Sequence, residues 1–210
     1  MFYRKNKYDS YFRHHAIIQC KGDTMDIKER FIKDFPVPQG DKEEPYIIVF
    51  DAYCGQGKSY TARTIARYDK SIILNNDHVR YWLNDYTTNS SKQLYELQYH
   101  RLGLLLKNHN SCIWDYCAGH NWEDKKRHLD EYDVRKYIIR LTCSEEVIKE
   151  RMAKRTLDGE NFSIADYDEY LWCKENIPPI DDSLIDYVIN TEENVEEQAK
   201  CFLKKYKLTK

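Results

Sequence analysis

A short run early in the chain combines glycine, lysine and serine at a spacing that can hold a phosphate group. From Ala52 to Ser59 the sequence has a small residue, four residues of any type and then Gly-Lys-Ser. Glycines let successive backbone N–H groups converge on one phosphate, and a helix that begins here adds the positive end of its dipole. Lys58 would reach the terminal phosphates of a nucleotide, and the Ser59 hydroxyl would bind Mg²⁺. The pattern predicts a nucleotide-binding loop, which we call the phosphate loop (residues 52–59).

The nucleotide is expected to contact the whole loop and the residue after it. The predicted contacts are Ala52, Tyr53, Cys54, Gly55, Gln56, Gly57, Lys58, Ser59 and Tyr60. The strict pattern has glycine at its first position, where this chain has Ala52. Because alanine is also small, we expect this departure to adjust the turn without removing nucleotide binding.

The elements that must position this loop follow from hydrophobic patterning. Continuous apolar runs are typical of strands buried on both faces of a parallel sheet. Five such runs are found at 46–51, 71–75, 111–115, 135–142 and 185–190. Helices are predicted between and after them at 57–68, 78–84, 91–108, 122–130, 144–155, 164–175 and 193–206. This alternation predicts a doubly wound three-layer α/β/α sandwich, in which ligands bind at the carboxyl ends of the strands.

Charged residues follow the second and third predicted strands. Asp77 and Arg80 are one helical turn apart, so both can face the crevice at the strand end. A carboxylate there could take the proton from an attacking hydroxyl, and the arginine could hold an acceptor phosphate or orient the carboxylate. Asp115 could bind Mg²⁺ through water or contact the acceptor. Each aspartate could instead cap a helix, but the position of Asp77 beside the phosphate loop favours the catalytic interpretation.

Two arginines lie near the C-terminal end of the helix predicted at 144–155. Arg151 and Arg155 are four residues apart, so they share one face of that helix and lead into a glycine-containing stretch at 156–163. Such a stretch could form a mobile lid that closes over ATP and stabilises charge on the transferring phosphoryl group. Arg155 is the stronger candidate for the transition-state contact and Arg151 for the nucleotide contact. The alternative is a solvated helix end that complements the helix dipole.

Composition limits the partners that the chain could bind. The 210 residues have a net charge of −2, which gives no global attraction for nucleic acid or membranes. A polynucleotide would need a local basic patch, for which the run 125–127 and the N-terminus are candidates, although that run also suits a solvated helix face. Seven cysteines without a Cys-x-x-Cys pair favour a reducing compartment and argue against a zinc site. Without a signal peptide or a long apolar run, we expect a cytoplasmic protein that binds no membrane.

The first part of the chain differs from the rest. Residues 1–45 lack the strand–helix alternation and are predicted to be an N-terminal arm or extension, followed by a nucleotide-binding domain at 46–210. Within the arm, only 24–35 has helical spacing, and prolines and charges up to Pro45 indicate a linker. The arm could pack on the domain, contact the substrate or mediate oligomerisation.

Residues from about 46 to 206 resemble small P-loop kinases of the polynucleotide 5′-hydroxyl kinase type, and more broadly the zeta-toxin and chloramphenicol-phosphotransferase group. The matching pieces are Ala52-x-x-x-x-Gly-Lys-Ser59, Asp77-x-x-Arg80, Asp115 and Arg151-x-x-x-Arg155. The resemblance implies a P-loop kinase fold with a five-stranded parallel sheet and a helical lid, and ATP with Mg²⁺ as the phosphoryl donor. It also implies that Asp77 is the general base, Arg80 an acceptor-phosphate ligand and Arg155 the lid arginine. Polynucleotide kinases usually have Thr-Asn where this chain has Tyr-Cys after Asp115, so the acceptor is left open.

The leading hypothesis is an ATP-dependent kinase in which Asp77, Lys58 and Arg155 are catalytic. Its first candidate acceptor is a nucleic-acid 5′-hydroxyl, ahead of a nucleoside, a nucleotide or another small alcohol. The competing hypothesis is an ATP-binding switch that phosphorylates no acceptor. The two hypotheses make different predictions for Asp77, because a protein that only binds ATP needs no base at the end of the second strand.

Overall fold

The computed structural model describes residues 25–83, 90–117, 119, 121–155, 163 and 165–208. In chain order its elements are α1 (Ile27–Asp34), β1 (Tyr46–Asp51), α2 (Lys58–Asp69), β2 (Ile72–Asn75), α3 (Asn76–Leu83), α4 (Ser90–Lys107), β3 (Cys112–Asp115), α5 (Trp122–Asp130), β4 (Arg135–Thr142), α6 (Glu145–Lys154), α7 (Tyr167–Asn176), a 3₁₀ turn (Asp182–Leu184), β5 (Tyr187–Asn190) and α8 (Val195–Lys205). Each predicted strand lies within two residues of an observed one. No helix in these ranges has the length and apolar character needed to cross a bilayer.

The five strands form one parallel sheet in the order β2-β3-β1-β4-β5. β1 is central, and its Ile48 pairs with Ile113 of β3 on one side and Tyr137 of β4 on the other. All six residues of β1 are buried, as expected for a strand that is covered on both faces. The predicted five-stranded parallel α/β fold is therefore confirmed. The carboxyl ends of β1, β2 and β3 lie side by side, which brings the phosphate loop next to Asp77 and Asp115.

Alternate residues of β1 face two separate hydrophobic layers, because side chains of a strand point to opposite faces of the sheet. Ile48 and Phe50 belong to the cluster that packs against α2 and α8. Ile47 and Val49 belong to the cluster on the other face, against α4 and α5. These clusters are the two helix–sheet interfaces of a three-layer α/β/α sandwich.

The residues that precede β1 pack on α3 and α4. Phe31 of α1 is fully buried in a cluster with Val79, Leu94 and Leu97. The following segment is tied to the end of α4 by backbone hydrogen bonds, of which Gly40 N–H to the Asn108 carbonyl measures 2.8 Å. The division into an arm at 1–45 and a domain at 46–210 stays a prediction, and residues 1–24 lie outside the described part of the chain.

A charged network joins the end of β1 to β4 and to the segment after α7. The Arg140 Nε atom of β4 donates to the Asp51 carboxylate at 2.7 Å, and the Asp51 side chain is only 7% exposed. The other Asp51 oxygen accepts a hydrogen bond from the Ile180 backbone N–H at 3.2 Å. Arg140 also donates to the Ile180 carbonyl and to Asp182. Because Asp51 directly precedes the phosphate loop, this network fixes the strand end from which the loop starts.

Replacing Arg140 with methionine should therefore destabilise the fold. We expect the free energy of unfolding to fall by about 2–4 kcal/mol, because the change leaves a buried carboxylate without its charged partner. The loss is smaller than for a fully buried pair, since Arg140 itself is partly exposed. Urea unfolding measures the effect. The matched control is Arg127→Met, because the Arg127–Asp124 pair has the same 2.7 Å separation but is 77% and 60% exposed, where ion pairs contribute little. Equal losses in the two variants would contradict the role assigned to burial of Asp51.

Candidate active site

A cavity of about 610 Å³ opens at the carboxyl ends of β1, β2 and β3. Most of the residues that the sequence predicted as functional line it together. They are Cys54, Gly55, Gly57, Lys58, Ser59, Tyr60, Asp77, Arg80, Asp115, Arg151 and Arg155. Three predicted contacts, Ala52, Tyr53 and Gln56, are not among the residues that line this cavity.

The phosphate loop has the backbone shape that its glycines predict. Gly55 and Gly57 have φ angles of 82° and 87°, in the left-handed region that other residues rarely adopt. A Cβ atom on Gly55 would also lie 2.7 Å from a side-chain carbon of Ile148 in α6. Gly57 is the N-cap of α2, so the N–H groups of the first turn and the positive end of the helix dipole are available to an anion.

Side chains of the loop hold its conformation. The Lys58 ammonium donates to the Tyr53 carbonyl at 2.7 Å, and the Gln56 side-chain oxygen accepts from the Tyr53 N–H at 2.6 Å. Ala52 is 5% exposed and lies in the same hydrophobic cluster as Ile48. Its φ is not in the positive range, so this position does not need the conformational freedom of glycine. This explains how alanine replaces glycine here.

Asp115 lies at the centre of the site, next to the start of α2. Its carboxylate is buried, accepts a 2.6 Å hydrogen bond from the Asn75 side-chain amide and is hydrogen-bonded to Ser59. Burial raises the pKa of Asp115, while the hydrogen bond from Ser59, the charge of Lys58 and the hydrogen bond from Asn75 oppose that rise.

The donor atoms around Asp115 fit a magnesium ion. Ser59 and Asp115 offer a hydroxyl and a carboxylate, the hard oxygen ligands that Mg²⁺ prefers. Within the described ranges, no group of three or more His, Cys, Asp or Glu side chains could hold a metal by itself. The ion would therefore complete its coordination with phosphate oxygens and water, as Mg²⁺ usually does in nucleotide sites.

Asp77 and Arg80 also line the cavity, from the first two turns of α3. The Arg80 guanidinium donates to the Asp77 carboxylate at 3.2 Å, and each side chain is about one-third exposed. The N-terminus of α3 is capped by Asn75, whose side-chain oxygen accepts from the His78 N–H at 2.9 Å. Asp77 is therefore not needed as the cap, and its carboxylate faces the cavity. The structure thus shows both that Asp77 pairs with Arg80, three residues later, and that Asp77 lies in the crevice at the strand end.

The two arginines at the end of α6 have different partners. Arg151 donates to the Thr191 carbonyl at 2.6 Å and to the Thr191 hydroxyl at 3.0 Å, which fixes it to the residue after β5. Arg155 donates to the Ala165 carbonyl at 2.9 Å and to Ser163 at 3.2 Å. Both guanidinium groups still line the cavity. The predicted lid stretch at 156–163 lies outside the described residues, apart from Ser163.

Lys125 is buried behind two residues of the cavity lining, Tyr116 and Cys117, and sequence reasoning missed this burial. The run 125–127 was predicted to form a solvated helix face, but the structure buries Lys125 to 3% exposure. Its ammonium lies 4.4 Å from the centre of the Tyr116 ring and donates to the Cys117 carbonyl at 3.1 Å. Burial lowers the pKa of Lys125 to about 7. Nothing in the local sequence distinguishes it from its exposed neighbours, because its surroundings come from α4 and the residues after β3.

Trp172 of α7 was also missed. Its side chain lines the cavity while Trp172 remains 42% exposed. Trp82, by contrast, packs against Phe31 at a ring separation of 5.4 Å. Trp172 therefore offers an exposed indole to the cavity, on which a base could stack.

The chain was compared with known families and structures. The sequence model of a family described as an AAA domain matches residues 53–178, which include the phosphate loop except Ala52, together with Asp77, Asp115 and both arginines. No curated protein sequence matches this one significantly.

Solved structures share the fold at low sequence identity. An APS kinase from Mycobacterium tuberculosis, solved in complex with AMPPNP and APS, is 14% identical with a TM-score of 0.56, over 78% of this chain and 98% of its own. A sugar kinase from a Janibacter species is 16% identical with a TM-score of 0.59, over 79% and 95%. A shikimate kinase from Bacteroides thetaiotaomicron is 14% identical with a TM-score of 0.53, over 77% and 98%. The chain therefore has the fold of P-loop kinases, and these similarities extend no further than the fold.

Proposed function

The chain belongs to this AAA-domain family of P-loop proteins, and on that premise we propose that it is an ATP-dependent kinase of a small hydroxyl-bearing molecule. One observation carries the proposal. A single cavity is lined both by the phosphate loop with Lys58 and by Asp77. A protein that only binds a nucleotide needs the phosphate loop. A transferase also needs a base at the position where an acceptor hydroxyl would lie.

Each of the proposed site residues has a separate role in phosphoryl transfer. Lys58 and the N–H groups at the start of α2 bind the β- and γ-phosphates. Asp77 orients the acceptor hydroxyl and receives its proton, and Arg80 holds Asp77 in place or binds an anionic group of the acceptor. Arg155 balances the charge that develops as the phosphoryl group passes, and Arg151 contacts the nucleotide. Ser59 and Asp115 would hold Mg²⁺, which in such sites neutralises charge on the phosphate oxygens.

The charges of α5 favour a small acceptor over a nucleic-acid 5′ end. The basic run 125–127 was the candidate polynucleotide patch inside the domain. Lys125 is buried, Lys126 is paired with Asp130 at 2.7 Å, and Arg127 is paired with Asp124 at 2.7 Å. A surface that follows a phosphate backbone needs clustered positive charge. In this run one cation is buried and the other two lie beside carboxylates, so the run presents little net positive charge. A nucleoside, a nucleotide or another small alcohol is the proposed acceptor class.

Incubation with γ-labelled ATP and a panel of acceptors tests the proposal. The panel contains nucleosides, nucleotides, sugars, hydroxy acids, and DNA and RNA with 5′-hydroxyl ends. We expect label on one class of small molecule, at a rate well above ATP hydrolysis in water alone. Label on none of them, with ATP hydrolysis unchanged by every addition, would favour the ATP-binding switch. Efficient labelling of the oligonucleotides would restore the nucleic-acid acceptor.

A further inference from the structure

Two cysteines from distant parts of the sequence meet in the cavity. Cys54 belongs to the phosphate loop, and Cys173 lies on α7, 119 positions later in the chain. Both are reduced and both line the cavity. Neither has a role in the proposed transfer reaction that requires a thiol.

The contacts of the neighbouring residue show why the thiols face each other. Tyr53 donates from its hydroxyl to the Ile177 carbonyl at 2.7 Å, and its ring lies 6.4 Å from that of Tyr170. Tyr170, Cys173 and Ile177 follow at helical spacings of three and four, so they share one face of α7 and its C-cap. Cys173 therefore lies between the two points at which α7 contacts the phosphate loop. Cys54 is the next residue of that loop.

We propose that Cys54 and Cys173 form a reversible disulfide that switches off nucleotide binding. A peroxide is the oxidant. The Cys54 thiolate attacks one peroxide oxygen, so that an S–O bond forms, the O–O bond breaks and the departing hydroxide takes up the proton that Cys54 released, giving water. The Cys173 sulfur then attacks the Cys54 sulfur. The S–S bond forms, the S–O bond breaks, and the hydroxyl group leaves with the Cys173 proton as a second water. Two thiols are oxidised by two electrons, and one hydrogen peroxide is reduced to two waters.

The surroundings assign the attacking role to Cys54. Hydrogen bonding with Cys173 lowers the pKa of Cys54 and, with the charges of Lys58 and Arg155, outweighs the opposing effect of burial. The pKa of Cys173 is raised by its interaction with Cys54 and by burial. Thiolates are the reactive form of cysteine, so the more acidic thiol reacts first and the buried one resolves it.

The disulfide would change the loop that must receive the phosphates. An S–S bond is about 2.05 Å long, which is shorter than any contact between two separate thiols. Its formation draws residue 54 toward α7 and displaces the loop next to Gly55, which has a positive φ and packs closely against Ile148. The loop N–H groups then no longer converge on one phosphate. This effect rests on the proposed nucleotide site, whereas formation of the bond does not.

The test uses the full chain. The reduced protein is treated with hydrogen peroxide, alkylated and digested with trypsin without reductant. We expect one cross-linked product that joins residues 43–58 to residues 156–174, whereas the peptide 108–125, with Cys112 and Cys117, stays alkylated. ATP affinity, measured by calorimetry on the same samples, should fall at least tenfold on oxidation and return after treatment with dithiothreitol.

Two variants complete the test. Cys173→Ser should bind ATP as well as the reduced parent and keep that affinity after peroxide. Cys201→Ser, which removes an exposed thiol of α8, should remain sensitive. A cross-link between other cysteines, or an unchanged affinity in the cross-linked protein, would overturn the proposal even if Cys173→Ser did not fold. Failure of the reduced parent to bind ATP would instead count against the proposed function, and peptide mapping would still decide whether the disulfide forms.

Discussion

Replacing Lys58 with alanine should lower ATP affinity and turnover together, with kcat/KM reduced by about 10²–10³-fold, the range seen when one preorganised phosphate or oxyanion contact is removed. Lys58 lines the cavity and donates to the Tyr53 carbonyl across the loop. The variant therefore loses both a charge that binds the terminal phosphates and a hydrogen bond that shapes the loop. Steady-state kinetics and ATP titration measure the two losses.

The control for this variant is Lys107→Ala, which removes an exposed lysine at the end of α4, outside the cavity. It should leave ATP affinity and kcat/KM unchanged. A Lys58→Ala protein that binds ATP as tightly as the parent would show that the loop does not bind the phosphates as proposed.

Replacing Asp77 with asparagine should instead separate binding from chemistry. Phosphoryl transfer should fall by about 10²–10⁴-fold, the usual contribution of a general base. ATP affinity should stay within a few-fold, because the proposed role of Asp77 is toward the acceptor and not toward the nucleotide. Asparagine keeps the size of the side chain and an oxygen that can accept from Arg80. Single-turnover transfer from γ-labelled ATP and separate ATP titration measure the two quantities.

Asp124→Asn is the matched control, because Asp124 also lies in the first turn of a helix and pairs with an arginine three residues later, at 2.7 Å. It differs from Asp77 by lying outside the cavity, so transfer should be unchanged. Full transfer by Asp77→Asn would refute the assignment of the base. Equal loss in both variants would show that the pairing with arginine, not the position in the cavity, is what matters.

The strands and the phosphate loop could be predicted because their signals are local. A buried parallel strand is a continuous apolar run, and β1 and β4 were predicted with the bounds that the structure shows. The carboxyl ends of parallel strands share one edge of the sheet, so Asp77 and Asp115 could be placed near the loop without knowledge of any contact. The positive φ angles at Gly55 and Gly57 likewise follow from residue type.

The remaining features depend on contacts between distant segments. Lys125 and the partly exposed Lys126 are adjacent lysines, and packing against Tyr95 and Tyr116 buries the first of them. The contacts of Cys54 with Cys173 and of Asp51 with Arg140 join residues that are far apart in the sequence. They could be predicted only with knowledge of how the chain folds in three dimensions. The start of α3 was predicted two residues late, because the capping role of Asn75 was not recognised.

Asn75 has a consequence for how the two ligands would influence each other. Its side-chain amide donates to Asp115, and its side-chain oxygen caps the helix that carries Asp77. One short side chain thus joins Asp115, the proposed Mg²⁺ ligand, to the helix that carries the proposed base. On these assignments, a shift of Asp115 on nucleotide binding would move the α3 N-terminus, and a shift of α3 on acceptor binding would act back on Asp115. Free-energy coupling of this kind is reciprocal, so an acceptor that binds more tightly after ATP must raise the affinity for ATP by the same factor.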